Sequence, residues 1–295
     1  MKIIFAKHIG FCSGVKRAID IAEKSLKGDP KPIQFLGPLI HNERVIEKIK
    51  RKGGKIVSSL KEVKTGTLIP RAHGIPADIF KNITKDVIIR DATCPLVKRA
   101  QNLAKELFEK GYQVIIIGDR NHPETEGIKG YTKNQAIIVG NESQAKNLPK
   151  FKKIGVVAQT TQNLDKVNQI LKILKDKAKK FKWVNTICPE VLVRQRELSE
   201  ILKKTDGILV IGSQSSANTK RLVQICKNYK KPTWCINSLR ELKKMNFKHL
   251  SALGVVSGTS APDWEIKKIK KYFKKAKRNS FSSSSSPAVA GSIND

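Results

Sequence analysis

Short apolar runs alternate with amphipathic stretches along nearly the whole chain. Runs at 2–6, 34–37, 87–90, 114–118, 136–140, 155–159, 207–212 and 253–257 have the length and composition of strands buried on both faces. Between them, apolar residues recur every three or four positions over 15–27, 95–110, 164–179, 189–204 and 218–229, the signature of helices with one buried face. Such alternation predicts α/β layers built on mostly parallel sheets. From 279 to 295 the periodicity stops and serines fill positions 282–286, so this stretch is expected to be a disordered tail.

A weak internal repeat organises the rest. Cys12-Ser13-Gly14-Val15-Lys16-Arg17 matches Cys94-Pro95-Leu96-Val97-Lys98-Arg99, and Cys188-Pro189-Glu190-Val191 shares the Cys-x-x-Val start. Each copy follows an apolar run and opens an amphipathic stretch, at intervals of 82 and 94 residues that accommodate one small α/β unit apiece. The expectation is three similar lobes, 1–93, 94–187 and 188–278, in pseudo-three-fold arrangement, each delivering one cysteine at a strand-to-helix junction. Strands near 87–94 and 182–188 would close the first two lobes. By the same logic residues 1–12 should pair with the third.

The chain of 295 residues has room for two or three domains, and 39% hydrophobic with 28% charged residues is ordinary for a globular protein. No apolar run approaches the ~18–20 residues that cross a bilayer, and residues 1–6 read as a strand without a basic leader. No membrane association and a cytoplasmic location are therefore expected. Five cysteines at long intervals do not form a disulfide framework and are better suited to packing, catalysis or metal ligation. The formal charge of +33 would ordinarily suggest nucleic acid. Here the lysines are scattered through every segment, only 6% of residues are aromatic and no stacking motif accompanies them, so no nucleic-acid partner is expected. The charge instead favours anionic substrates or acidic protein partners.

A cysteine at a helix N-terminus meets the positive end of the helix dipole, which favours thiolate, and proline at the first helical position marks that junction at Pro95 and Pro189. Three such cysteines suit a metal centre. Zinc sites commonly use close Cys-x-x-Cys pairs, absent here, whereas an iron–sulfur cluster accepts ligands from distant segments; three buried structural cysteines are the third possibility. Cys226 and Cys235 sit within a helical and a strand pattern and are expected in the core. Polar loops after apolar runs form a second set: His41 and Asn42, Arg71 to Gly74 with His73, Asn121 to Glu124 with His122, Gln159 to Thr161, Gly212 to Asn218, and Ser257 to Pro262. Loops beyond the carboxyl ends of strands are where open α/β sheets bind ligands, and this donor-rich set suits a phosphate or diphosphate. His8 and His249 lack such a setting and are expected to be structural.

The motifs Gly10-Phe11-Cys12-Ser13-Gly14-Val15, Gly37-Pro38-Leu39-Ile40-His41-Asn42, Ala72-His73-Gly74, Asp91-Ala92-Thr93-Cys94-Pro95, His122-Pro123-Glu124-Thr125-Glu126-Gly127, Gln159-Thr160-Thr161, Thr186-Ile187-Cys188 and Gly258-Thr259-Ser260-Ala261-Pro262 together resemble the 4-hydroxy-3-methylbut-2-enyl diphosphate reductase family, the last enzymes of the non-mevalonate isoprenoid pathway. The likeness spans about residues 1–275. It implies one [4Fe-4S] cluster on Cys12, Cys94 and Cys188 with one open iron, at the centre of three lobes. It also implies a diphosphate held by His41, His73, His122, Ser216, Asn218 and Ser260, with Glu124, Thr160 and His122 near the chemistry. The implied reaction is reductive dehydroxylation to isopentenyl and dimethylallyl diphosphate. Without a nicotinamide or flavin motif, electrons would come from a separate ferredoxin or flavodoxin, and the basic surface offers such carriers a docking face. Two departures from the family pattern stand out: Pro189 to Val193 after the third cysteine, and Ala217 where many members carry a second serine.

Overall fold

The computed structural model describes residues 1–247 and 250–282. Its elements run β1 (Lys2–Phe5), α1 (Ser13–Gly28), β2 (Ile33–Leu36), α2 (Glu43–Arg51), β3 (Lys55–Val57), β4 (Gly66–Pro70), α3 (Ala77–Lys81), β5 (Val87–Ile89), α4 (Pro95–Glu109), β6 (Gln113–Ile117), α5 (Pro123–Gly130) and β7 (Ile137–Val139). They continue α6 (Glu142–Lys146), β8 (Phe151–Ala158), α7 (Leu164–Lys175), β9 (Ala178–Trp183), α8 (Pro189–Leu202), β10 (Gly207–Ile211), α9 (Ala217–Asn228), β11 (Thr233–Ile236), α10 (Leu239–Leu242), β12 (Ala252–Ser257) and α11 (Asp263–Ser282).

The strands form three four-stranded sheets with one order: β3-β2-β4-β5, β7-β6-β8-β9 and β11-β10-β12-β1. Every pairing is parallel. In the third sheet the fourth place belongs to β1, paired from Lys2↔Ala252 to Phe5↔Val255, so the start of the chain completes the sheet of its end. Helices cover both faces, which is why β2, β4 and β10 are buried at every position and read as continuous apolar runs. Within each sheet the two central strands are separated in sequence by an excursion to the edge, and the loops at their carboxyl ends flank the crevice where such sheets bind ligands.

Two readings of the sequence are corrected. The helix expected over 164–179 ends at Lys175, and Ala178–Trp183 is instead an edge strand paired with β8. There Phe181 and Trp183 pack against the core while Lys180 and Lys182 stay exposed; the period has changed from 3.6 to 2, and charged residues protect the open edge. The tail expected from 279 is corrected over 279–282: α11 continues to Ser282, since an established helix adds one hydrogen bond per residue and neither glycine nor proline intervenes. Residues 283–295 and His249 lie outside the described residues. Strands β3 and β4 were not anticipated.

Candidate functional site

The three sheets point equivalent positions at one cavity. Its lining includes Cys12, Cys94 and Cys188 together with His41, His73, His122, Glu124, Thr160, Thr161, Ser216, Ala217, Asn218 and Ser260. Counting from strand ends exposes the register. His41, His122 and Ser216 each lie five residues past the first central strand of their sheets (β2, β6, β10), and Glu43, Glu124 and Asn218 lie seven past. His73, Thr161 and Ser260 each lie three residues past the second central strand (β4, β8, β12).

The cysteines follow the fourth strands β1, β5 and β9 and are the N-caps of α1, α4 and α8. Each donates its backbone N–H to the residue two past the second central strand: Cys12 to Thr259 at 3.0 Å, Cys94 to Ala72 at 2.9 Å and Cys188 to Thr160 at 2.9 Å. The sulfurs also lie close to α1, for a β-carbon on Gly14 would come within 2.6 Å of Cys94 Sγ and 4.0 Å of Cys12 Sγ. All three thiols are free and half-buried. Helix N-termini were expected to favour thiolate, but in the protein alone burial wins: it pushes Cys12 up to about 11 and raises Cys94 and Cys188, although each also receives backbone N–H groups. A cation bound among them would reverse that balance. Cys226 is fully buried in the core under α9, and Cys235 donates its thiol to the Gly212 carbonyl at 3.6 Å. Neither lines the cavity.

The same cavity is lined by three imidazoles, with ring centroids 4.3 Å apart for His41–His73 and 5.5 Å apart for both pairs with His122. One nitrogen from each falls within 4.8 Å of the others, a spacing that could ligate a cation. The surroundings argue for an anion instead. Burial holds all three imidazoles below the ordinary histidine range, His122 at about 4, and Arg71, Lys220 and Arg221 push in the same direction. Cationic neighbours and neutral imidazole donors suit a phosphate oxygen. His122 Nδ1 accepts the Glu124 N–H at 3.1 Å, so its neutral ring carries the proton on Nε2, a buried atom without a protein partner. His41 Nε2, His73 Nδ1 and both polar atoms of Asn218 are likewise buried and unpartnered. Ser216 caps α9, and Ser260 Oγ donates to the His41 carbonyl at 3.2 Å.

Glu124 lies in the first turn of α5 and is 1% exposed. Its carboxyl accepts the Thr160 backbone N–H at 2.5 Å and the Thr160 hydroxyl at 3.0 Å. Burial raises its pKa to about 7 despite these bonds, with Asp119 adding to the rise, so near neutrality it can hold or release a proton.

Three contributors were not singled out from sequence. Thr161 occupies the register position of His73 and Ser260, and its hydroxyl is buried without a partner; counting from strand ends identifies it. Lys220 and Arg221 occupy the fourth and fifth positions of α9, near a helix end that repels cations, and that unfavourable placement was the available signal. Arg221 pairs with Asp119 across the boundary between lobes. His8, expected to be structural, bonds Glu197 at 2.8 Å on the surface.

Residues 3–274 match the family described as LytB protein. The chain is 39% identical over 270 residues to 4-hydroxy-3-methylbut-2-enyl diphosphate reductase of Geobacter metallireducens, covering 91% of this chain and 95% of the relative. It is 44% identical over 268 residues to the protein of that name from Dictyoglomus turgidum, covering 89% and 93%. Among solved structures, the E-1-hydroxy-2-methyl-but-2-enyl-4-diphosphate reductase from Plasmodium falciparum superposes with a TM-score of 0.87 at 31% identity, covering 92% of this chain and 87% of that one. A second structure, described as the terminal enzyme of the non-mevalonate pathway, gives 0.69 at 35% identity over 93% and 100%. With the same three-lobed α/β fold and this extent of identity, the chain belongs to the LytB protein family.

Proposed function

We propose that the protein is a 4-hydroxy-3-methylbut-2-enyl diphosphate reductase that carries a [4Fe-4S] cluster on Cys12, Cys94 and Cys188, with one iron left open. The observation that carries this reading is convergence: three free thiols on helix N-termini face the same cavity as a buried carboxyl and a cluster of neutral imidazoles. The donor set fits such a group. Three thiolates from distant segments suit iron–sulfur ligation, and the glycine at position 14 leaves space beside the sulfurs that any side chain would fill.

When bound, the cluster supplies electrons one at a time and a Lewis-acid iron. The chain supplies the rest. His41, His73, His122 and Asn218 bind the diphosphate through polar atoms otherwise left unpaired, and the hydroxyls of Ser216 and Ser260 join them, each a charge-assisted hydrogen bond. Glu124 gives its proton to the departing hydroxyl, which leaves as water, and Thr160 holds the carboxyl in line through its N–H and hydroxyl. Overall the alcohol takes up two electrons and two protons, losing C–O and gaining C–H. Protonation at one or the other end of the allyl unit yields isopentenyl or dimethylallyl diphosphate. The electrons come from an acidic carrier of the ferredoxin or flavodoxin class, drawn to a chain of formal charge +33. No helix among the described residues is long and apolar enough to cross a membrane.

The test is anaerobic. Iron content and the visible spectrum of the purified protein are measured first, and the diphosphate alcohol with a one-electron reductant is added second. Iron-dependent formation of both five-carbon diphosphates is expected; an iron-free protein after reconstitution, or iron without product, would refute the reading.

A further inference from the structure

The repeat after each cysteine leaves arginines that the chemistry above does not use. Arg17 and Arg99 lie five residues after Cys12 and Cys94, and Arg194 lies six after Cys188. Each reaches from a helix packed on one sheet to backbone carbonyls of the loop that leaves the fourth strand of that same sheet. Arg17 donates through Nη1 to Thr93 at 3.0 Å and through Nη2 to Asp91 at 3.4 Å, one and three residues ahead of Cys94. Arg99 donates through Nη1 to Asn185 at 3.2 Å, three residues ahead of Cys188. Arg194 donates through Nη2 to Gly10 at 2.8 Å, two residues ahead of Cys12, and through Nη1 to the Ser257 carbonyl at 3.3 Å and hydroxyl at 3.1 Å. The order closes on itself. The helix begun by Cys12 holds the approach to Cys94, that begun by Cys94 holds the approach to Cys188, and that begun by Cys188 holds the approach to Cys12.

Other bonds shape the approach loops locally. Asp91 accepts from the Thr93 N–H at 2.9 Å and Asn185 from the Ile187 N–H at 3.0 Å, turns that shape each loop locally. The cysteine N–H bonds then tie Cys94 to β4 and Cys188 to β8 of the same sheets. None of these joins the helix begun by one cysteine to the approach of the next. At Cys12 the loop is built differently. Gly10 has φ of +93° and no room for a β-carbon, which would sit 2.1 Å from Asp263 Oδ1, and that carboxylate takes the Phe11 N–H at 2.9 Å. The arginine serving this loop is 5% exposed, whereas Arg17 and Arg99 are exposed.

We infer that Arg17, Arg99 and Arg194 are positioning residues: a closed ring of three clamps, each joining the helix begun by one cysteine to the loop that leads to the next, that sets the spacing of Cys12, Cys94 and Cys188. A guanidinium fork holding carbonyls is suited to this because it stays charged and its geometry is rigid. The inference rests on the proposed cluster, which gives that spacing its consequence.

The experiment replaces Arg17 and Arg99 with Met, singly and together, keeping the apolar stem and removing the fork. Three quantities are read: the rate at which a chelator strips iron from the anaerobic holoenzyme, the electron paramagnetic resonance spectrum after one-electron reduction, and the melting temperature of the iron-free protein. The double variant is expected to lose iron roughly 10–100-fold faster, the usual range for removing outer-shell support, with a changed spectrum. Its iron-free melting temperature should stay near wild type because both side chains are exposed. Arg17→Lys should recover part of the rate, and Arg51→Met, an exposed arginine of α2 paired only along its own helix, should match wild type. Arg194→Met should be the most affected single variant, but the exposed pair decides the question because those proteins fold. A wild-type iron-loss rate and spectrum in Arg17→Met/Arg99→Met overturns the clamp, as does faster loss that merely tracks a collapse in melting temperature. A wild-type protein that holds no iron refutes the cluster reading instead.

Discussion

Cys12, Cys94 and Cys188 occupy three matching junctions, each capping a helix and each bonded through its N–H to the residue two past the second central strand of a sheet. The loops facing them occupy matching positions too, yet their residues differ: His41, His122 and Ser216 at one position, His73, Thr161 and Ser260 at another, Glu43, Glu124 and Asn218 at a third. A repeated fold keeps its symmetry where the bound group has three equivalent ligands and loses it where the ligand has a head and a tail. The two glutamates make the point. Glu43 is exposed, and hydrogen bonds from Ser213, Ser215 and Asn237 outweigh the effect of burial and hold its pKa below the ordinary value. Glu124, at the same position one lobe on, is buried with Thr160 as its donor and is raised to about 7. One fixes the lobe junction and the other is left able to move a proton.

The symmetric wall is the easier to break. Serine at Cys12, Cys94 or Cys188 is expected to abolish stable iron binding in each case, because a hard, basic alkoxide is a poor substitute for thiolate. Cys226→Ser and Cys235→Ser should keep full iron content, which atomic absorption measures directly. Equal iron loss in all five variants would dissolve the distinction between the two classes of cysteine.

On the asymmetric wall, Glu124→Gln should retain iron and bind substrate while product formation in a single turnover falls ~10²–10⁴-fold, the usual value of a positioned general acid. Thr160→Val removes one of two donors to the same carboxyl and should fall less. Normal turnover in Glu124→Gln would reduce this carboxylate to a helix-terminal charge and erase its contrast with Glu43.

The α/β class and the three lobes were legible because the buried strands are continuous apolar runs and because the cysteine repeat recurs at lobe-sized intervals. The strand closing the second lobe was expected near 182–188 but lies earlier, as β9, since lysines at 179, 180 and 182 extend the polar face of α7 in sequence while facing solvent from an edge strand. Strands β3 and β4 escaped notice for a related reason: one has only three residues and the other ends in Pro70. The site residues that motifs carry do meet in one cavity. What sequence spacing did not reveal were Thr161, whose neighbour Thr160 drew attention first, and the arginine carbonyl bonds, which leave no motif on the accepting side because a backbone oxygen has no residue identity.

The anion wall should respond in smaller steps. Changing His41, His73 or Asn218 to Ala should each weaken binding of inorganic diphosphate by about 1.5–3 kcal/mol, the worth of a hydrogen bond to a charged group, with iron content unchanged. Calorimetric titration reads this without turnover. Unaltered affinity in all three would move the anion elsewhere. Neutral imidazoles also predict proton uptake on binding, since a phosphate oxygen beside them favours imidazolium; the binding heat should therefore vary with the ionisation enthalpy of the buffer.

A pH effect separates Glu124 from Glu43 and Glu190, both of which are held below the ordinary carboxylate value. The ordinary value for Glu124 is 4.5, and burial raises it to about 7 in the folded protein. Between those values the folded chain holds a proton that the unfolded chain has lost. The contribution of this residue to stability is therefore complete below pH 4.5 and declines as pH rises toward 7, by up to about 1.4 kcal/mol per pH unit. The histidines act with the opposite sign: depressed in the fold, they lower stability as pH falls below the ordinary value of 6.5. Comparing iron-free wild type with iron-free Glu124→Gln cancels the histidines, which both proteins share, and leaves the glutamate alone. Urea unfolding at intervals from pH 5 to 7.5 should show the variant gaining on wild type steadily and then levelling off above pH 7. A difference that stays flat across that range would mean Glu124 ionises like an ordinary surface carboxylate, and the proton it is assigned to deliver would have to come from another group.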